Sequence, residues 1–161
     1  MPELATIGVY GFDRGSFLAA LEEARVRRLL DVRQRRGVRG PEYAWANSRR
    51  LQDSLADAGI AYEHRRELAP TTELRQLQYR EDDRLGVGKR SRSQLAPEYV
   101  RRYRTEILDH VDLKALAESL PEDSVTALLC VELDPEACHR SLIAERLASR
   151  HGVTVSHIRP T

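Results

Sequence analysis

Strand-like and helix-like segments alternate along the first part of this chain. Thr6–Phe12, Arg28–Arg33 and Ile60–His64 are short and rich in β-forming residues, whereas Ser16–Val26 and Ser48–Ala58 carry apolar residues at helical spacing. Because short strand–helix–strand units form right-handed crossovers, their successive strands lie parallel in one sheet. We therefore predict an α/β fold with a single open, mostly parallel sheet and helices on both faces, Rossmann-like or flavodoxin-like.

The later elements extend this sheet within one domain, 1–161. Val125–Val131 is the most hydrophobic predicted strand, so we place it at the centre of the sheet. Helices are predicted at Tyr99–Leu108, Leu113–Leu120 and Pro135–Arg150, and Val153–Ile158 is the last strand. In a strand order of 3-2-1-4-5 the first and fourth strands would be neighbours, and their carboxyl ends would form the ligand crevice.

A polar, basic segment at about 65–95 interrupts the pattern between the third and fourth strands. It has little periodicity apart from a helix around Glu73–Tyr79, and Gly86–Ser93 is typical of a loop. Long insertions in compact domains are in most cases functional or disordered. We predict a long, loop-rich basic insertion at this place.

Composition indicates the cellular compartment that suits this chain. It has no run of about 18 apolar residues, and Met1–Ala5 does not begin a basic stretch followed by an apolar one, as a signal peptide would. Two cysteines are too few for a disulfide framework. We expect a cytoplasmic protein with reduced thiols and no membrane partner.

Positive charge is carried almost entirely by arginine and is unevenly spread. Only Lys89 and Lys114 of the 26 basic residues are lysines, and the segment 27–50 holds eight arginines against Asp31 and Glu42. Arginine binds phosphate bidentately and stacks on bases. The cluster therefore predicts a nucleotide or nucleic acid as partner, although a genomic preference for arginine explains single positions equally well.

Aromatic residues lie among the arginines of the loop at 35–45. Arg39, Tyr43 and Trp45 belong to this loop, and such a mixture is typical of proteins that hold splayed or single-stranded bases. The alternative is that Tyr43 and Trp45 cover the core while the arginines are solvated.

The chemistry-bearing residues concentrate in Leu128–Leu147. This stretch contains both cysteines of the chain together with a carboxylate, a histidine and an arginine. In open α/β sheets, ligands bind where a strand ends and the next helix begins. We therefore predict that this corner is the chemical site.

Three groups of residues carry a family resemblance. They are Thr6–Gly8 with Phe17, Leu30–Arg33 with Ala58–His64, and Leu129–Ala144 with Val155–Ile158. These stretches, which span nearly the whole chain, resemble the domain of unknown function 488 family of bacterial and archaeal proteins. The resemblance implies an α/β sandwich fold and implies no activity.

The chain departs from that family pattern in two loops. Gln34–Trp45 stands where members often have Pro-x-Ser-Arg, and Ala69–Thr72 stands where they have Gly-Gly. We expect the substrate that these loops select to differ accordingly.

Cys138 is the candidate nucleophile. A thiol near a helix N-terminus beside His139 and Arg140 has its thiolate form favoured. Alternatively, Cys130 and Cys138 are buried packing residues, or they form a redox pair. The Cys-x7-Cys-His spacing is not that of a compact zinc knuckle, so we predict no metal and no cofactor, with a site assembled by the fold left open.

Arg140 and Ser141 are candidate anion ligands near a helix N-terminus. Asp134–Glu136 has the composition of a helix cap and first turn, which would place Arg140 one turn inside the helix. The Arg140 side chain then either reaches back to the sheet edge or forms a buried ion pair with Asp31.

Together these positions predict one cleft at the C-terminal edge of the sheet. The candidate catalytic residues are Cys138, Glu132 and Asp31, with the two carboxylates as general acid or base or, alternatively, as ion-pair partners of arginines. The candidate ligand-binding residues are Tyr10, Arg14, Arg33, Arg39, His139, Arg140 and Ser141.

The preferred function is binding of a phosphate-containing ligand, a nucleotide or nucleic acid, with modest catalysis led by Cys138 or Glu132. One alternative is a thiol-dependent enzyme that acts on a small molecule with Cys138 as nucleophile. The other is a non-catalytic module whose basic loops dock on an acidic protein surface or on a second copy in a homo-oligomer.

Overall fold

A computed structural model describes residues 2–88 and 90–161 and contains one sheet of five parallel strands. The strands are β1 Glu3–Ile7, β2 Val26–Asp31, β3 Ala61–His64, β4 Val125–Leu129 and β5 Thr154–Ile158. Each strand pairs in parallel with its neighbours, as strand–helix–strand crossovers require. The predicted α/β class with an open parallel sheet is confirmed.

The strand order is β3-β2-β4-β1-β5, so the predicted order 3-2-1-4-5 is wrong. β4 does adjoin β1, as the predicted order required, but it lies between β1 and β2 rather than on the far side of β1. All five residues of β4 are buried, which suits the middle position in the sheet. Leu129 is level with both Ile7 and Asp31, so β1, β2 and β4 end side by side.

Helices cover both faces of the sheet. They are α1 Arg14–Glu23, α2 Ser48–Asp57, α3 Thr72–Leu85, α4 Pro97–Glu106, α5 Leu113–Ser119 and α6 His139–His151. One core, which includes Phe17 and Leu55, packs under α1 and α2, and a second core, which includes Tyr103 and Ile143, packs under the other four helices. The chain therefore leaves β4 toward one face and leaves β1 and β2 toward the other, which opens a crevice at their carboxyl ends.

Apart from Lys89, which lies outside the described residues, the segment at 65–95 has more regular secondary structure than a loop-rich insertion. The helix that the sequence indicates around Glu73–Tyr79 extends over all of α3, because the Thr71 hydroxyl accepts a hydrogen bond from the Leu74 N–H at 3.2 Å and Gly86, with φ of 71°, ends the helix. Arg92 in the following segment is buried. The segment is thus part of the folded body around the crevice.

Among the helices of the described residues, none combines the length and the apolar character that crossing a membrane would need.

Candidate functional site

A narrow cleft lies at the carboxyl ends of β2 and β4, and we call it the thiol cleft. Residues after β2, from Arg33 to Arg35, form one wall, and Arg75 and Tyr79 of α3 form another. Its floor holds Cys130, Cys138 and other residues that follow β4. Water can occupy about 50 Å³ of it, which is room for a few water molecules or a small polar group.

Cys138 is the N-cap of α6. Pro135–Ala137 forms a separate single 3-10 turn, closed by the hydrogen bond from the Cys138 N–H to the Pro135 carbonyl at 3.1 Å. The Cys138 backbone is extended, and α6 begins at His139. The prediction that Asp134 caps this helix and that Arg140 lies one turn inside it is therefore wrong, since the proline turn stops before the helix begins.

The two thiols surround one nitrogen of His139. His139 Nδ1 lies 3.7 Å from Cys130 Sγ and 3.8 Å from Cys138 Sγ. The other ring nitrogen, Nε2, lies 2.8 Å from the Val32 carbonyl oxygen. Because a carbonyl only accepts hydrogen bonds, Nε2 carries a proton and donates it, and Nδ1 faces the sulfurs.

The two thiols of this group differ in how readily they ionise. Burial raises the pKa of the Cys130 thiol. Burial also opposes ionisation of Cys138, but a hydrogen bond from Cys130 and the charges of His139 and Arg140 outweigh it, so the pKa of Cys138 lies well below that of a free thiol. Burial lowers the pKa of His139, but the Cys138 thiolate outweighs that effect and raises it overall. The negative charge of the thiol pair therefore resides on Cys138.

Arg92 joins the thiol cleft to α3 through buried ion pairs. Its guanidinium donates to Asp82 Oδ2 and to Glu132 Oε1, each at 2.6 Å, and to the Ala137 carbonyl at 3.1 Å. The second carboxylate oxygen of Glu132 lies 3.5 Å from Cys130 Sγ. Glu132, the candidate general acid or base, is thus at the cleft and held by an arginine.

A wider groove adjoins the thiol cleft, and we call it the arginine–tyrosine groove. Its characteristic lining residues are Tyr10, Arg35, Arg39, Arg75, Tyr79 and Arg90. It holds about 680 Å³. Because Arg35, Arg75 and Tyr79 line both spaces, the groove and the thiol cleft lie side by side.

The arginines of the groove differ in their partners. Arg90 pairs with Glu42 at 3.2 Å and lies 5.2 Å above the Tyr10 ring. Arg75 donates to two neutral oxygens, Gln34 Oε1 and Tyr79 Oη, both at 2.9 Å. Arg35 and Arg39 are exposed, and their side chains make no ion pair with any described residue.

Comparison with protein-family models finds one match over residues 14–147, described as domain of unknown function DUF488. The chain belongs to the DUF488 family. The match includes the residues of the thiol cleft, whereas Tyr10 of the groove lies before it. Comparisons with curated proteins and with solved structures find no match.

Two of the arginines predicted to anchor a ligand are buried in this DUF488 protein. Arg140 has no exposed surface and donates to the backbone carbonyls of Glu132 at 2.7 Å and Leu133 at 3.3 Å. Arg33 lines the thiol cleft, but it pairs with Asp31 at 2.9 Å and donates to the Ala46 carbonyl. Both guanidinium groups therefore hold the chain segments that follow the strands.

Of the two alternatives for Arg140, the ion pair with Asp31 is wrong, because Arg33 is the partner of Asp31. Residues two apart at a strand end lie on the same side, and Arg33 Nε and Nη2 both reach the Asp31 carboxylate at 2.9 Å. The Tyr62 hydroxyl donates to the same carboxylate at 2.6 Å. Asp31 is fully buried and is not a lining residue of the thiol cleft.

The remaining sequence-predicted residues are distributed over three places. Cys138, Glu132 and His139 come together in the thiol cleft, and Tyr10 and Arg39 lie in the adjoining groove. Arg14 and Ser141 lie outside both spaces. Arg14 Nε donates to Ser54 Oγ at 2.9 Å, and the Ser141 hydroxyl donates to the Cys138 carbonyl at 2.9 Å.

Several residues of the DUF488 cleft are not among the candidate site residues predicted from the sequence. The sequence does indicate that Arg75 and Tyr79 lie together, since residues four apart share one face of a helix. Arg92 and Tyr99 carry no such signal, because their place in the cleft depends on how α3 and α4 pack. The local sequence around Arg92 is typical of a solvated loop.

Proposed function

We propose that this DUF488 protein binds a phosphate-bearing ligand, a nucleotide or a nucleic acid strand, in the arginine–tyrosine groove. The observation that carries the proposal is the charge of Arg35, Arg39 and Arg75. No carboxylate of the described residues forms an ion pair with these three side chains, and they line one groove. Uncompensated guanidinium groups around a concave surface attract an anion and bind phosphate bidentately.

The size and the aromatic lining of the groove support a ligand that carries a base. Its volume of about 680 Å³ is within the usual range for small-molecule sites. Tyr79 and the Arg90–Tyr10 pair line it, and bases stack on tyrosine rings and on guanidinium planes. The thiol cleft, with about 50 Å³, takes only a small group of such a ligand.

Fluorescence anisotropy tests this proposal. A labelled single strand of roughly ten nucleotides is titrated with the protein at low salt, and unlabelled mononucleotides and oligonucleotides compete with it. Because a hydrogen-bonded charge pair contributes about 1.5 kcal/mol or more, Arg35→Ala and Arg75→Ala should each weaken binding about tenfold. Arg104→Ala, at an exposed site on α4, is the matched control and should bind like the wild type.

The salt dependence separates groove binding from other modes. Each phosphate contact to a single strand contributes a slope of about −0.7 in a plot of log K against log salt, so each groove variant should lose about that much slope. Competition by mononucleotides alone would identify a nucleotide site. Equal affinity of wild type and both groove variants would refute the proposal, and binding only to acidic proteins would favour the docking module.

Cys138 gives a second candidate function, a thiol-dependent enzyme that acts on a small molecule. The specific observation is that Cys138 lines the thiol cleft at the N-terminus of α6, with His139 Nδ1 at 3.8 Å and Glu132 in the same cleft. Cys138→Ser should abolish any turnover that the wild type shows, whereas Ser141→Ala should preserve it. A folded Cys138→Ser protein with full turnover would exclude this function.

A further inference from the structure

Three soft-metal ligand atoms come together at the floor of the thiol cleft. Cys130 Sγ, Cys138 Sγ and one nitrogen of His139 all lie within 4.8 Å of one another, and all three residues are buried. Cys130 follows β4, whereas Cys138 and His139 begin α6. The fold, rather than a compact sequence motif, brings these atoms together.

The distances fit one tetrahedral ion. Zinc–sulfur bonds of about 2.3 Å and zinc–nitrogen bonds of about 2.0–2.1 Å set ligand-to-ligand separations of about 3.6 Å between sulfur and nitrogen. His139 Nδ1 lies 3.7 Å from one sulfur and 3.8 Å from the other. Both sulfur-to-nitrogen distances are therefore within about 0.2 Å of the separation that a zinc ion would set, and the two sulfurs lie within 4.8 Å of each other.

The orientation of His139 is a second, independent observation. A histidine that binds a metal donates its other ring N–H to a carbonyl or carboxylate, which fixes the tautomer. His139 Nε2 makes such a bond to the Val32 carbonyl at 2.8 Å. Nδ1 is thereby directed at the two sulfurs, as a ligand atom would be once a bound metal displaces its proton.

From these observations we propose that Cys130, Cys138 and His139 bind a single thiophilic divalent cation of the Zn²⁺ class. Two thiolates and a neutral imidazole balance the charge of such an ion. The thiol cleft lies against all three ligands, so the fourth position faces the cleft and takes water or a small ligand group, an arrangement typical of open zinc sites. The proposal does not depend on ligand binding in the groove.

Metal loading of the intact protein tests this inference. Protein stripped with a chelator is dialysed against Zn²⁺, and bound zinc is measured by mass spectrometry; Co²⁺ then replaces zinc for absorption spectroscopy. We expect one ion per chain and thiolate-to-cobalt charge-transfer bands. Cys130→Ser, Cys138→Ser and His139→Gln should each weaken binding by at least about a hundredfold, because they remove a ligand rather than an outer partner.

The control is His157→Gln, an exposed histidine whose Nδ1 contacts the Thr6 hydroxyl rather than the thiols. It should bind zinc like the wild type. Substoichiometric zinc in the wild type, cobalt spectra without thiolate bands, or unchanged affinity in both cysteine variants would overturn the proposal.

A measurement on the unaltered chain covers the case in which a variant fails to fold. Zinc should protect Cys130 and Cys138 from alkylation, and a chelator should make both thiols reactive again. Equal alkylation with and without zinc would contradict the metal site and would leave Cys138 available as a free nucleophile. Loss of oligonucleotide binding with normal zinc loading would refute only the proposed ligand groove.

Discussion

Replacing Arg92 with methionine removes a buried guanidinium that links α3, the end of β4 and the turn before α6. Arg92 is only 8% exposed, and the carboxylates of Asp82 and Glu132 lie 2.6 Å from it and are themselves buried. Methionine keeps the length of the side chain but leaves both carboxylates without this cation. Removing one partner of a buried ion pair costs about 3–5 kcal/mol.

The matched control is Arg104→Met, which removes an exposed arginine that lies 3.5 Å from Glu145. Such surface pairs contribute about 0–1 kcal/mol. Urea unfolding followed by circular dichroism measures both variants. With a slope of about 2 kcal/mol per molar urea, Arg92→Met should lower the midpoint by about 1.5–2.5 M, and Arg104→Met by about 0.5 M or less.

A midpoint for Arg92→Met that equals the Arg104→Met midpoint would refute this reasoning. It would mean that the segment around Arg92 is not built into the folded body and that Asp82 and Glu132 are solvated. The walls of the thiol cleft would then not be held as the ion pairs indicate.

Two further predictions concern the strand ends. Gly8→Ala should lower the free energy of unfolding by about 3 kcal/mol or more, because the new Cβ would lie 2.0 Å from the Glu132 carbonyl oxygen. The control is Gly88→Ala, whose new Cβ would have its nearest contact at 3.9 Å. Equal thermal unfolding of the two variants would contradict the prediction. Burial and the charge of Arg140 lower the pKa of His157, so below about pH 6.5 the unfolded chain binds more protons and stability falls as the pH falls. Wild type should therefore lose more unfolding free energy than His157→Gln between neutral and mildly acidic pH, and parallel pH profiles in urea titrations would argue against it.

Several elements were predictable because their patterns are local, whereas the first strand, predicted at Thr6–Phe12, lies at Glu3–Ile7. β2, α2 and β5 fall within one or two residues of their predicted bounds, since apolar spacing and end signals such as Gly59 lie in the same stretch of sequence. The central position of β4 followed from its continuous apolar run.

Strand order was not predictable in the same way. Whether β4 lies between β1 and β2 or beyond β1 depends on how the helices pack on the two faces, and each order pairs β4 with β1. The position of Arg92 was not predictable either. Its carboxylate partners come from α3 and from the end of β4, so its position depends on how these elements pack.

The candidate site was predictable in its location and only partly in its residues. The concentration of chemistry-bearing residues at Cys130–Arg140 indicated the corner that the thiol cleft occupies. The Asp31–Arg33 pair was available from their two-residue spacing at a strand end. The cap at Cys138 was obscured by Asp134 and Pro135, which are equally typical of a helix start but form a separate turn.

NMR tests most directly whether the arginine–tyrosine groove binds phosphate-bearing ligands. The arginine Nε–H signals are followed while a short single-stranded oligonucleotide is added at low salt. We expect that the signals of Arg35, Arg39 and Arg75 shift most, that added salt reverses the shifts, and that the Arg104 signal stays in place. Unchanged signals for the three groove arginines, or shifts of equal size at Arg104, would contradict it.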